Sequence, residues 1–296
     1  MPTKYYVFSI GEIPKFNEEH NMDNNPLRQY FRRPAVYMKL PSMGAGYPEG
    51  AIDMPENGEF PVYPMTAIDE ITARTPDALF NGIAVVELIK SCVPNIKDPW
   101  SVTNVDLDAI LVAIKAASST SGEMDIESQC PKCEEIAPYK VNLAGILSSI
   151  SHPNFDKELE IGDLSFKFRP LTFKEVNEAS MTQFEIQKLF SQLETVEDDD
   201  TRTKLTQDAL TRVTLLTMEL VSKSVVAIKT PNAVVTETAF ILDFLQHCDR
   251  NIYAQARDYS GKLREESELK PMNITCGSCG NQYDQSITLN ATDFFE

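Results

Sequence analysis

The chain has 296 residues, room for one large or two ordinary domains, and its 42% apolar and 24% charged residues are a balance that can bury a core. Asp and Glu outnumber Lys and Arg by 44 to 27, and the resulting formal charge of −17 repels phosphate backbones and anionic lipid, disfavouring nucleic acid or membrane as a primary partner. No stretch approaches the roughly 20 consecutive apolar residues of a membrane span, and the N-terminus lacks an apolar run with a cleavage site, so a cytosolic product is expected.

Residues 1–34 read as an irregular arm, rich in Asn and Pro and without a sustained period. Within it Arg28, Arg32 and Arg33 flank Tyr30 and Phe31. That grouping suits packing on its own domain or docking on an acidic or apolar partner surface. Residues 35–122 are expected to mix strand and helix. AVYMKL and EFPVYPM look like short strands around a turn-rich segment. Thr66 with Asp69 resembles a capping box, and Thr75–Pro76 an N-cap with Pro at the first helical position. Ile83, Val86, Ile89 and Val93 then recur at helical spacing until Pro94. A further helix at about 105–117 places Leu107, Ile110, Leu111 and Ile114 on one face.

The period changes at 123–145, where EMDIESQ, CPKC and EEIAPYKVNL read as strand, tight turn and strand. Residues 146–268 are expected to form a mainly helical insertion. After a short helical stretch it forms a hairpin, LEIGDLSFKF, turning at Gly162–Asp163. A second capping box, Thr172 with Glu175, starts a helix to about 195. After an acidic loop at 197–201, a helix over about 201–224 carries Leu205, Leu210, Val213, Leu216 and Leu220 and should bury one side. VVAIKTPNAVV suggests another short hairpin, and 237–266 one or two helices. Residues 269–296 repeat strand, CGSC turn and strand.

Of six cysteines, Cys130, Cys133, Cys276 and Cys279 form two Cys-x-x-Cys pairs, each in a turn between strands. Two such knuckles supply four thiolates, the tetrahedral complement of a structural Zn²⁺. With 142 residues between Cys133 and Cys276, the site would be a zinc ribbon split by a large insertion. Separate disulfides or thiol pairs, and redox catalysis, are the alternatives. The redox reading expects a pair at a helix N-terminus, which the pattern does not offer. Cys92 and Cys248 read as small packing residues. The expected fold class is therefore α+β: a helical body with short strands and hairpins, joined by a four-cysteine zinc ribbon with one Zn²⁺ per chain.

The chain has no Gly-rich phosphate loop, His-Glu-x-x-His, Gly-x-Ser-x-Gly or kinase signature. His20, His152 and His247 are far apart, and a closed four-thiolate site has no open coordination position for water. A non-enzyme is expected.

An ordered set of short motifs carries a resemblance. It runs from Leu40-Pro41-Ser42 and Tyr47-Pro48 through Tyr-Pro-Met-Thr, Thr-Pro-Asp-Ala-Leu, an Asn-Gly and Ser-Cys-Val-Pro to the helix VDLDAILVAIKAA. It continues with Cys-Pro-x-Cys, the Arg-Pro-Leu-Thr-Phe of Arg169 to Phe173, a second Cys-x-x-Cys-Gly and Phe294–Phe295. Together these resemble the baseplate hub and hub-assembly proteins of contractile-tailed bacteriophages, over roughly residues 36–296. Glu134 stands where a Gly is common, and the arm has no counterpart. The resemblance implies a component of the virion tail baseplate, assembled in the host cytoplasm beside other hub, wedge or tail-tube proteins, with an oligomer within the baseplate possible. A retained subunit, an assembly factor that leaves, and a zinc-ribbon adaptor for nucleic acid or polymerase are the functions to separate.

Overall fold

The computed structural model describes residues 25–73, 81–151, 153–193 and 198–286. The chain divides into two units, Met1–Arg32 and Arg33–Glu296. In the first, Pro26–Tyr30 forms a single 3-10 turn, started by Asn25, whose side-chain oxygen accepts the Leu27 N–H at 2.9 Å.

The second unit begins with β1 (Val36–Met38) and β2 (Phe60–Val62), an antiparallel pair. The predicted capping box opens α1 (Ala67–Ala73): the Asp69 carboxylate accepts the Thr66 N–H at 2.7 Å, and the Thr66 hydroxyl accepts the Asp69 N–H at 3.2 Å. Thr75–Pro76 lies outside the described residues. α2 (Ile83–Cys92) buries Val86 and Ile89 as its spacing predicts, while Ile83, in its first turn, is exposed. Gly82 precedes it at φ 76°, and a Cβ there would meet Asn177 Oδ1 at 2.8 Å, so the Asn-Gly motif is a positive-φ turn under close contact.

α3 (Asn104–Ser118) is the central element. Nine of its 15 residues are buried, more than one apolar stripe accounts for. Ile110 and Ile114 join Phe60, Val62 and Ile89 in one cluster. Val112 joins Val141, Leu143, Ile146 and Leu269 in another. That second cluster ties α3 to β3 (Glu123–Gln129), β4 (Ile136–Asn142) and α4 (Leu143–Ser149).

Strands β5 (Leu159–Ile161), β6 (Leu164–Phe168), β7 (Val225–Lys229) and β8 (Val234–Val235) form one antiparallel sheet in that order. Two hairpins expected separately thus join through β6 and β7. The helical hairpin of α5 (Phe173–Leu193) and α6 (Asp199–Ser224) is inserted between these neighbouring strands. α7 (Thr238–His247) and α8 (Arg250–Ser267) cover the sheet, placing Ile241, Leu245 and Leu263 on Phe166, Phe168 and Ile228. β9 (Met272–Thr275) and β10 (Gln282–Gln285) close the described chain as a last antiparallel pair.

The expected buried side of α6 is not found along its length. Leu205, Leu210 and Val213 are 37%, 55% and 41% exposed, and the helix's buried residues are Ala209 and, in its last turn, Val221, Ser222 and Ser224. Helical spacing specifies which side chains share a face, not whether anything covers it. Among the described residues no helix is long and apolar enough to cross a membrane.

Candidate metal centre

The two Cys-x-x-Cys turns have the same backbone plan. In the first, the Cys130 N–H donates to the Glu135 carbonyl at 2.9 Å and the Glu134 N–H donates to the Cys130 carbonyl at 2.9 Å. In the second, the Cys276 N–H donates to the Asn281 carbonyl and the Gly280 N–H to the Cys276 carbonyl, each at 2.9 Å. The residue after each second cysteine takes a left-handed conformation, Glu134 at φ 61° and Gly280 at φ 69°. Gly280 adopts it without steric cost, whereas Glu134 brings a Cβ into a region costing an L-residue about 1–2 kcal/mol. In each pair the first cysteine is buried and the second exposed.

The four cysteines converge. Cys130 Sγ lies 3.7 Å from Cys279 Sγ and Cys133 Sγ lies 3.6 Å from Cys276 Sγ, with all four sulfurs within 4.8 Å of one another. All six cysteines of the chain are free thiols, and neither pair begins a helix. Four sulfurs bonded at about 2.3 Å to one tetrahedral ion stand about 3.8 Å apart. The observed cross-pair separations match that edge and are far longer than the roughly 2.05 Å of a disulfide. The donor set and its size therefore fit one metal ion shared between the knuckles.

The local electrostatics favour one thiolate and resist the rest. Burial pushes the Cys130 thiol up, but the N–H groups of Cys133 and Lys132 and the Cys133 and Cys279 thiols outweigh it and bring it down to about 6. At Cys133 the Glu135 N–H works the other way, yet the hydrogen bond with Cys279, desolvation and the other two thiols push it up to about 12. A cluster of this kind titrates as a unit. A cation supplies the field that lets all four ionise together.

The hairpins also hold each other without the sulfurs. Ser128 donates to Gln285 Oε1 at 2.5 Å, and its oxygen lies 2.9 Å from the Tyr283 hydroxyl. A hydrogen bond with Tyr283 pushes the Tyr139 phenol up to about 12, so it stays protonated. Sequence reading missed this brace, because its members show only as alternating polar positions on strands.

A second polar cluster was likewise missed. Asp106 is fully buried and accepts hydrogen bonds from the Ser42 N–H at 2.8 Å, the Ser42 hydroxyl at 2.5 Å, the Tyr47 hydroxyl at 2.9 Å and the Thr103 hydroxyl at 3.1 Å. Burial, with the Asp106 charge beside it, pushes the Tyr47 phenol far above its usual range and keeps it a donor. The Leu-Pro-Ser and Tyr-Pro motifs thus clamp the turn after β1 onto α3. The legible signal was Thr103 three residues before Asp106, the spacing of the other two capping boxes. In Arg-Pro-Leu-Thr-Phe, Arg169 forms a two-pronged pair with Glu175 at 2.6 and 3.0 Å. Burial alone would push the Glu175 carboxyl up, but that pair and the Thr172 N–H hold it below its usual range.

The remaining expected site residues lie on or beside the 3-10 turn. Tyr30 and Phe31 are 77% and 56% exposed, and Arg28, Arg32 and Arg33 accompany them in sequence. Phe294 and Phe295 lie outside the described residues.

A family model described as "T4 bacteriophage base plate protein" matches residues 64–296, most of the chain. The chain belongs to this family. The match takes in both Cys-x-x-Cys turns, α3 with Asp106, and Arg169 to Phe173, while Ser42, Tyr47 and the arm precede it. Neither the curated proteins nor the solved structures contain a significant match.

Proposed function

We propose that this baseplate-family chain is a structural subunit of the hub region of a contractile phage tail, retained in the virion, with one structural Zn²⁺ on Cys130, Cys133, Cys276 and Cys279. The carrying observation is the four-sulfur cluster built by knuckles at both ends of a long insertion, within a chain matching the baseplate family. Bound there, a zinc ion would compensate four thiolates and join the β3–β4 and β9–β10 hairpins. The chain's own contribution is the pair of turns with matching backbone hydrogen bonds and the Ser128–Tyr283 brace that hold the sulfurs at the right separation. A closed set of four thiolates leaves no coordination position for a substrate, so the reading assigns the chain no catalysis. The exposed Tyr30 and Phe31, with the neighbouring arginines, are read as a contact for another hub, wedge or tube protein.

Quantitative mass spectrometry of purified particles tests the role, with stoichiometric presence expected. Presence in infected cells but absence from particles would instead identify an assembly factor. Retention on heparin at moderate salt would favour the nucleic-acid adaptor, against which the charge of −17 argues. Elemental analysis of protein made with zinc available is expected to find about one zinc per chain; finding no metal would remove the shared site.

A further inference from the structure

We infer that the groove between α3, α5, α6 and α8 is a docking site for a segment of another protein that is apolar on one face and carries a lysine or arginine on it. The groove is an open cavity of about 830 Å³ whose lining includes Leu107, Phe168, Leu216 and Leu220. That volume is within the range of functional binding clefts, roughly 300–1,000 Å³.

Three features of its lining have no use within the chain itself. Asn104 Oδ1, at the start of α3, is buried and has no hydrogen-bond partner among the described residues. Such an acceptor destabilises the chain until a donor reaches it. One turn further, Asp108 is half-buried beside Glu268 and has no hydrogen bond or ion pair with any described residue. Burial, with Glu268 adding to it, pushes its carboxyl up to about 6, the mark of a charge without a counter-ion. The cations around the groove do not supply one. Arg169 pairs with Glu175, Arg257 with Asp258, Lys262 with Glu266 and Arg264 with Glu268. The third feature is Gly261, inside α8 and facing the groove, where a Cβ would meet nothing within 4 Å. A glycine inside a helix is less favourable than an alanine, and nothing in this chain requires it there.

Together these features describe an incomplete interface. An incoming ammonium or guanidinium satisfies Asp108, which lines the groove together with Glu268. It also carries N–H donors for Asn104 Oδ1, while the missing side chain at Gly261 lets the segment's backbone approach α8. An acidic or uncharged segment would leave both acceptors buried, which is the discrimination a polar group in an apolar groove provides. The inference needs neither the metal nor residence in the particle, so either of those readings can fail without it.

The test uses the full-length protein and two synthetic amphipathic peptides of about 15 residues, identical except for a central lysine or glutamate on the Leu-rich face. Fluorescence anisotropy is expected to give a preference for the lysine peptide of about tenfold or more. Asp108→Asn should reduce that preference to about threefold or less. Gly261→Phe, which adds a side chain into open space, should abolish binding of both peptides while leaving thermal stability equal or higher. Equal binding of the two peptides, a preference that survives Asp108→Asn, or binding unaffected by Gly261→Phe would overturn the proposal. So would sedimentation showing that a second copy of the chain fills the groove, with dimers lost in Gly261→Phe. A photo-crosslinker at Gln183 in assembling tails should capture a segment with lysine or arginine among apolar residues; an acidic segment would overturn it.

Discussion

Replacing Asp108 by asparagine should stabilise this protein at neutral pH, and the gain should disappear in acid. Asp108 is an acid whose carboxyl is pushed from 3.8 to about 6 in the folded chain by burial and by Glu268. The folded state therefore holds its proton more tightly than the unfolded state. Below about pH 3 both states are protonated and nothing is lost. Between about pH 3 and 7 the unfolded chain ionises first and stability falls, and above about pH 7 the penalty is complete. At about 1.4 kcal/mol per pH unit the rise corresponds to about 3 kcal/mol. Partial solvent access to the groove reduces this to about 2 kcal/mol. With an unfolding entropy of about 2.1 cal/mol/K per residue, 2 kcal/mol is about 4 °C in Tm for a unit of this size. Urea and thermal unfolding of the two proteins at pH 7.5 and pH 4.5 provide the assay. Asp108→Asn should be the more stable at pH 7.5, and its advantage should shrink to about a third of that value at pH 4.5. Both proteins share the acid lability of the thiol cluster, so the difference between them is the readout. A variant that gains nothing at pH 7.5, or gains as much at pH 4.5, would refute the reasoning, the second outcome because a pH-independent gain reflects packing rather than charge.

Loss of the sulfur cluster should be local in cause and wide in effect: Cys276→Ser should lower the metal content and the Tm and speed proteolysis near the C-terminus, whereas Cys92→Ser and Cys248→Ser should leave metal content unchanged by elemental analysis. The two left-handed positions predict opposite signs. Glu134→Gly should raise stability by about 0.5–1 kcal/mol and Gly280→Ala lower it by about 1 kcal/mol in urea unfolding of metal-loaded protein. Asp106→Ala strips an acceptor from Ser42, Tyr47 and Thr103 and should cost about 3 kcal/mol or more by the same assay. Tyr30→Ala with Phe31→Ala should leave metal content and Tm unchanged but prevent incorporation into tails in a complementation assay, and normal incorporation would remove these aromatics from the partner surface.

What was legible in the sequence was local. The capping boxes at Thr66 and Thr172 close over three residues, and the hairpin at Gly162 closes over two, so their partners lie within the reading window. The cysteine pairs were legible because ligand chemistry demands a residue type and a spacing together. The pairing of β6 with β7 was not, since α5 and α6 lie between them and alternation names no partner strand. The exposure of Leu210 and Val213 was misread for a related reason: an apolar face looks the same in sequence whether or not it is covered. Asp106 sat within a recognisable helix, but its donors Ser42 and Tyr47 come from a turn 64 and 59 positions earlier. Asn104, Asp108 and Gly261 acquire meaning only where segments from several parts of the chain meet.

The spacing of the two knuckles has a consequence for synthesis. Cys276 is made 143 positions after Cys133. At about 5–20 residues per second the first pair waits between about 7 and 30 seconds for its counterpart. During that interval the β3–β4 hairpin must survive with two unshared thiols, relying on its contacts with α3 and α4. A chain released early, or one whose sheet and helical hairpin have not closed, cannot bring the second pair to the first. The complete sulfur cluster therefore acts as a receipt for translation through the second knuckle, available only to chains that have folded everything in between.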